Sequence, residues 1–371
     1  MAAGTGRTGA LADIGADYAA EALDRNGPWA AFSWAMTKTI NLALQGGGAH
    51  GAFTWGVLDR LLEDPRIAFE GISATSAGAM NAAVLAHGLA AGGRDGARAA
   101  LAGFWRGISE AAVFSPLQPT PIERIFGSRA LDYSPAFVLF DWVTRLLSPY
   151  RLNPANYNPL RQILARSIDC ERLRQTCPVK LFISATNVRT GKIKVFENRD
   201  MSIDAVLASA CVPFLFQAVE IDGEAYWDGG YMGNPAIFPL IYGCESRDVV
   251  IVHVNPLNRA EVPTTAAEIL NRVNEISFNS SLMREMRAIS FVTNLVDGGM
   301  IQYRTLKRML IHSIADEATM SELSVASKLN ADWGFLGELH RCGRDCASAW
   351  LAANFDRLGE ESTIDMRAIY L

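Results

Sequence analysis

Ser76 stands in the run ATSAGA, Asp228 in YWDGG, and Gly46, Gly47 and Gly48 in LALQGGGAHGAF. These residues have the types and spacing that could do chemistry. A serine in the tight turn between a strand and a helix has the geometry of a nucleophile elbow. That motif is usually written G-x-S-x-G, because small flanking residues let the backbone turn sharply and lift the hydroxyl clear of the sheet. Ala74 takes the place of the first glycine and Gly78 keeps the second. One methyl at position 74 is compatible with an elbow as long as φ there stays negative. A serine in a small-residue turn also has a bland reading with no chemistry, and the elbow letters alone do not separate the two.

The glycine cluster separates them. Gly46, Gly48 and Gly51 fit G-x-G-x-x-G, and Glu70 lies about twenty residues further on, so a dinucleotide site is the first reading to test. In such a unit the ribose acid closes the second strand, whereas Glu70 is read here as preceding that strand, GISAT. The place just after the strand, where adenosine would need room, holds Ser76. An oxyanion fits better. Acyl transfer needs backbone N–H groups aimed at the developing charge, and Gly46, Gly47 and Gly48 supply them at the head of a helix whose dipole adds to the effect.

A serine nucleophile needs a base. None of the five histidines lies in a context that marks a triad member, although spacing leaves His253, at a strand end, open. Asp228 is the stronger candidate. It ends a strand, two glycines follow it, and Asn234 and Pro235 beyond are expected to cap the next helix. A carboxylate is a poor base in water, so it can take the serine proton only from a desolvated, closely bonded position.

The elements around these residues read as strand, glycine loop, helix, strand, tight turn and helix from Ile40 to Ala90, the pattern of an α/β protein with parallel strands. VKLFISATNVRTGKIKVFEN reads as a hairpin turning at Thr190 and Gly191, and VEIDGEAYWDGG as a second turning at Asp222 and Gly223. RDVVIVHVN and RMLIHSIA read as strands, and Thr265 with Glu268 forms a capping box at the head of a long helix. The expected organisation is an N-terminal extension over 1–35 and one domain over 36–371. Within that domain we expect a motif core at 40–254, an insertion at about 112–165, and a mostly helical part at 264–371. In the insertion, SPAFVLFDWVTRLLSP reads as a helix with a wide apolar face that includes Phe137, Phe140 and Trp142. Such a face either packs into the core or a homodimer interface, or forms a lid that meets a lipid or polymer.

Composition narrows the partners. Half of the 371 residues are hydrophobic and the formal net charge is -5 with no Lys/Arg-rich run, which argues against nucleic acid. The six cysteines are irregularly spaced and suit reduced thiols, hence a cytoplasmic location. Cys342 and Cys346 share a helix face at i,i+4, but no clustered histidine or second cysteine pair accompanies them, so no metal is expected. No apolar stretch approaches the roughly 20 residues needed to span a bilayer.

In this order and spacing, GGGAHG, ATSAGA and WDGG resemble the patatin-like phospholipase family, and ASACVPFLF resembles its segment ahead of the aspartate. The resemblance implies a three-layer α/β/α sandwich with a mostly parallel central sheet, a helical insertion and a helical C-terminal region. It implies an oxyanion hole at Gly46 to Gly48, a nucleophile at Ser76 and Asp228 as its sole partner, with no cofactor or metal. Two departures stand out: His50 where the family usually has Arg or Lys, and Ala74 in the elbow. The expected activity is hydrolysis of a phospholipid or lysophospholipid ester at a membrane surface reached from the cytoplasm. The alternatives are depolymerisation of a stored polyester on its granule and, in another class, a catalytically silent scaffold.

Overall fold

The computed structural model describes residues 37–112, 143–144, 146–299 and 306–371. The expected extension, most of the insertion, and Phe137, Phe140 and Trp142 lie outside the described residues. Among the described residues, eight strands make one sheet: β1 Lys38–Leu44, β2 Ile67–Ala74, β3 Lys180–Asn187, β4 Ile193–Glu197, β5 Val219–Ile221, β6 Glu224–Asp228, β7 Asp248–Val252 and β8 Leu310–Ile314. Their order is β5-β6-β3-β2-β1-β7-β8, with β4 also paired to β3. From β3 to β8 the neighbours run parallel, while β4, β5 and β6 join antiparallel.

The parallel strands read as continuous apolar runs because both of their faces are covered. Alternate residues go to opposite layers. Leu42 and Leu44 of β1, with Val250 and Val252 of β7, join a core with helices α1 (Gly51–Glu63), α2 (Ala77–Ala112) and α3 (Ile203–Ser209). Ala43, Val249, Ile251 and Ile311 point the other way, onto Leu282, Met286 and Ile289 of α4 (Ala266–Asp297). The result is a mixed α/β protein with helices on both faces of the sheet. In α1, Phe53, Val57, Leu58, Leu61 and Leu62 form the buried face, and the expected capping box of Thr265 and Glu268 starts α4. The helix α2 is bent at Gly92 and Gly93.

One strand edge aligns the parts that matter. Ile183 of β3 pairs with Phe196 of β4 on one side and Ala74 of β2 on the other. Two residues along, Ala185 pairs with Lys194 of β4 and with Asp228 of β6. Thus β2 and β6 lie end to end on the same edge of β3, and the chain leaving β2 must turn out of the path of β6. Ser76, two residues past Ala74, is in that turn.

Glu70 is corrected by this topology. β2 begins at Ile67, so Glu70 lies inside the strand rather than ahead of it. Its carboxylate accepts from the backbone N–H of Glu245 and Ser246 at 2.7 and 2.8 Å and from Lys180 Nζ at 2.9 Å. It is committed to the fold.

The last long helix, α5 (Trp333–Asn354), packs on α1 through glycines. A Cβ on Gly56 would fall 1.9 Å from the His340 carbonyl oxygen, and one on Gly343 would fall 2.1 Å from that of Phe53, so the two backbones touch. Gly343→Ala is therefore expected to destabilise by about 2 kcal/mol or more, through overpacking. Gly337→Ala, on the same helix with nothing within 4 Å of the added methyl, should stabilise by about 0.5–1 kcal/mol. Urea midpoints of the two variants check this directly: a similar effect of both would mean that the helices have room to separate.

Candidate active site

The elbow is visible in the backbone. Ser76 has φ 56°, the left-handed region that a non-glycine residue occupies only at a cost, and α2 begins at the next residue. Ala74 is not among the residues of positive φ, so the missing elbow glycine is no obstacle. The turn is fastened on all sides. Thr75 N donates to the Leu44 carbonyl at 3.3 Å, Thr75 Oγ1 donates to the Gly233 carbonyl at 2.6 Å, and Ser76 N donates to Ser209 Oγ at 2.9 Å.

Asp228 sits at the end of β6, only 1 % exposed. Its backbone is pinned: the N–H donates to the Cys211 carbonyl at 2.8 Å and the carbonyl accepts from Thr186 Oγ1 at 2.8 Å. In the side chain, Oδ1 accepts from Gly230 N at 2.8 Å, while Oδ2 is buried without a hydrogen-bond partner. Burial pushes the carboxyl pKa up to about 6. The Gly230 N–H, the Ser76 hydroxyl and the charge of Lys328 limit the rise. Ser76 is thus near enough to act on the carboxyl, yet outside hydrogen-bonding geometry with Oδ2, which remains unpaired.

The glycine loop divides in two. Gly46 N donates to Asn234 Oδ1 at 2.7 Å and the Gly46 carbonyl accepts from Asn255 Nδ2 at 2.7 Å. The Gly46 N–H is therefore spent on the scaffold, which departs from the expectation that all three glycines offer donors. Among the described residues, the N–H groups of Gly47 and Gly48 have no acceptor. Gln45 braces the loop, accepting from the N–H groups of Val254 and Asn255 at 3.0 and 3.1 Å and donating to Asn279 Oδ1 at 3.1 Å. Asn234 does not cap the helix that follows it, Phe238–Gly243, whose N-cap is Ile237. Its amide holds Gly46 instead, and its Nδ2 is buried and unpaired.

The histidines lie elsewhere. His50 Nε2 is 2.7 Å from Ser327 Oγ, which itself donates to the Ser324 carbonyl at 2.7 Å, so the imidazole is the donor. Burial and the charge of Lys328 hold its pKa down to about 3, and it stays neutral. His253 Nε2 is 2.9 Å from Tyr370 Oη, buried, with a pKa near 4 from burial; the structure does not bring it to Ser76. The residues that sequence reasoning misses are Gln45, Asn255, Ser209 and Lys328, and Asn234 is read there only as a helix cap. Only the position of Gln45 directly before the glycines hints at a role.

Among the described residues, one group of side chains could hold a metal. Asp316, Cys342 and Cys346 have ligand atoms within 4.8 Å of one another. Cys342 Sγ donates to Asp316 Oδ2 at 2.9 Å, and burial with that carboxylate pushes the thiol up to about 12, so it is protonated here.

A serine at a strand–helix elbow, a buried carboxyl and, among the described residues, unpaired glycine N–H groups thus stand together at one end of an α/β sheet. The sequence matches the family model of patatin-like phospholipases over residues 42–241, more than half of the chain. The chain belongs to the patatin-like phospholipase family, and at the level of that family it is a lipid acyl hydrolase. A structural comparison aligns it with the crystal structure of VipD from Legionella pneumophila at a TM-score of 0.38 and 17% identity, covering 85% of this chain and 67% of that one. A comparison with curated protein sequences finds no match.

The raised pKa of Asp228 has a thermodynamic consequence. The folded state holds this proton more tightly than the unfolded chain, where the pKa is about 3.9. The carboxyl is therefore compatible with the fold at acid pH and costs stability as pH rises from about 4 through about 6. A difference of about two units corresponds to about 3 kcal/mol. Asp228→Asn, neutral at every pH, should raise the melting temperature at pH 8 and leave it nearly unchanged at pH 4. Equal effects at both pH values would show that the carboxyl titrates normally.

Proposed function

We propose that the chain is a serine hydrolase of lipid acyl esters that works with a Ser76–Asp228 dyad. The observation that carries this reading is the unpaired, buried Oδ2 of Asp228 beside a serine held at φ 56°. In the first half-reaction Ser76 Oγ attacks the ester carbonyl as its proton passes to Asp228. The carbonyl oxygen becomes an oxyanion, and the Gly47 and Gly48 N–H groups donate to it. Collapse breaks the bond to the alcohol oxygen, which leaves with the proton from Asp228, and an acyl-Ser76 ester remains. Water then gives its proton to Asp228 and attacks the acyl carbon. Release of the fatty acid returns the proton to Ser76.

Burial is what suits an aspartate to this role. At a pKa near 6 the carboxyl is ionised at neutral pH, yet its proton affinity is well above that of a solvated aspartate. The arrangement calls for no histidine. Among the described residues no helix is long and apolar enough to cross a membrane, which fits an enzyme that meets its lipid at a surface.

The test is a mutant cycle on a short acyl ester and on phospholipid vesicles. Ser76→Ala and Asp228→Ala should each lower kcat by at least about 100-fold, and the double variant should be little worse than either, because the two groups act as one unit. A fluorophosphonate should label wild-type Ser76 and fail on Ser76→Ala. The rate should rise with pH through about 6 as Asp228 ionises. Retention of more than about a tenth of the activity in Asp228→Ala would show that another base serves Ser76.

A further inference from the structure

A cation at this site comes from outside the matched segment. Lys328 lies in the single turn Ala326–Leu329 that precedes α5. Its Nζ donates to Asn255 Oδ1 at 2.9 Å and to Asn274 Oδ1 at 3.3 Å, and lies 5.6 Å from the centroid of the Phe278 ring. These neighbours belong to the site. Asn255 is the residue that holds the Gly46 carbonyl. Phe278 covers the turn after Asp228 so closely that a Cβ on Gly230 would fall 2.3 Å from its ring. The Lys328 backbone closes over the glycine loop, where a Cβ on Gly48, at φ +58°, would meet the Lys328 carbonyl oxygen at 2.4 Å. The lysine therefore bridges the two halves of the site, the loop with free N–H groups and the turn with the buried carboxyl.

Its charge is not matched. An ammonium has three N–H donors, and two of them go to neutral amide oxygens. Among the described residues Lys328 has no carboxylate within ion-pairing distance. Glu275 is one anion that acts on it, and that side chain is already claimed by Arg259 and by Arg272 at 3.2 Å. Asp228 is the other, and it faces Ser76. Withdrawing an ammonium from water without a counter-ion is costly unless an anion arrives to share the site. His50, the other basic side chain at the loop, is buried and neutral and cannot take that role.

We propose that Lys328 is the anion subsite beside Ser76 and binds the phosphate of a phosphate-bearing acyl ester, so that it sets a preference for phospholipid-type over neutral esters. The proposal rests on the reading of Ser76 as an acyl-hydrolase nucleophile. A phosphate on Lys328 would anchor the alcohol side of the substrate while the scissile carbonyl lies over Ser76 and the Gly47 and Gly48 N–H groups. A neutral polyester offers no such anchor.

The experiment compares Lys328→Met and Lys328→Arg with wild type on lysophosphatidic acid and on monoacylglycerol of the same chain in mixed micelles. Removing a charge-assisted hydrogen bond that only one of the two substrates can make should lower the kcat/KM ratio, phosphate-bearing over neutral, by about 10- to 100-fold in Lys328→Met. Lys328→Arg should keep most of it. Glycerol 3-phosphate should inhibit hydrolysis of a p-nitrophenyl ester by wild type competitively, and that inhibition should vanish in the Met variant. An equal fall on both substrates, with inhibition intact, would reduce Lys328 to a support of the fold and overturn the proposal. Inorganic phosphate that binds at Lys328 without any substrate preference would overturn the lipid source. Calorimetry of glycerol 3-phosphate on Ser76→Ala reads the subsite without turnover, so its result stands even if Ser76 proves unreactive. Should Lys328→Met fail to fold, Lys328→Gln and the wild-type inhibition decide.

Discussion

A carboxyl group taken out of water with one oxygen unpaired is the constraint around which this site is organised. Desolvation disfavours the charged form of Asp228, and among the described residues no ion pair offsets it. What offsets it are three weaker contributions: a backbone N–H from Gly230, the Ser76 hydroxyl and the more distant charge of Lys328. An arginine in contact would hold the carboxyl far below neutrality and leave it too weak a base. Without these contributions burial would push the carboxyl higher still. On the proposed mechanism, the intermediate balance suits a group that is ionised yet able to accept the Ser76 proton.

That balance has a purpose only if the serine is within reach, and strand register sees to it. Because β2 and β6 meet end to end along β3, Ser76 and Asp228 are drawn to one point by backbone pairing rather than by attraction between their side chains. The elbow is a consequence of the same register. Chain continuing straight from Ala74 would run into β6, so it turns at Thr75 and Ser76, and the left-handed φ of Ser76 is the local cost of that turn. Side-chain bonds to Gly233 and Ser209 hold the strained turn in place.

Much of this could be read from sequence, for identifiable reasons. The apolar runs of β1, β2 and β7, the hairpin turns at Gly191 and Asp222–Gly223, and the capping box at Thr265 are local signals, each carried by neighbouring residues. Ser76 and Asp228 stand in short motifs whose glycines betray tight turns. What sequence could not supply were contacts made across the fold. Asn234 reads as a helix cap because Asn-Pro favours one, yet its amide reaches Gly46, 188 positions away. Glu70 fits a ribose-acid spacing by count alone, and only the strand boundary at Ile67 shows that its oxygens serve backbone N–H groups at the far end of the sheet. A single sequence carries no mark of such pairings.

The support of the glycine loop explains why the chain beyond the matched segment packs so tightly onto the rest. Three successive glycines are the most mobile backbone a chain can offer, whereas oxyanion donors stabilise only if they are fixed in advance. The loop cannot be fixed by side chains of its own, because a Cβ on Gly46, Gly47 or Gly48 would fall 2.6, 2.8 or 2.4 Å from Ser76, Val254 or the Lys328 carbonyl oxygen. The fixing comes from elsewhere: Asn234 and Asn255 hold Gly46 from both sides, Gln45 ties in Asn279, and Ser327 anchors His50. Most of these partners lie past residue 241, where the family match ends. Backbone contact between α1 and α5 through Gly56 and Gly343 sets the turn Ala326–Leu329 against the loop, and the same turn brings Lys328. A neutral histidine at position 50 follows from this arrangement, since a second cation buried beside Lys328 would repel it, while a neutral imidazole can donate to Ser327 and pack on Phe335. The helical C-terminal part thus does for the loop what side chains on the loop itself could not.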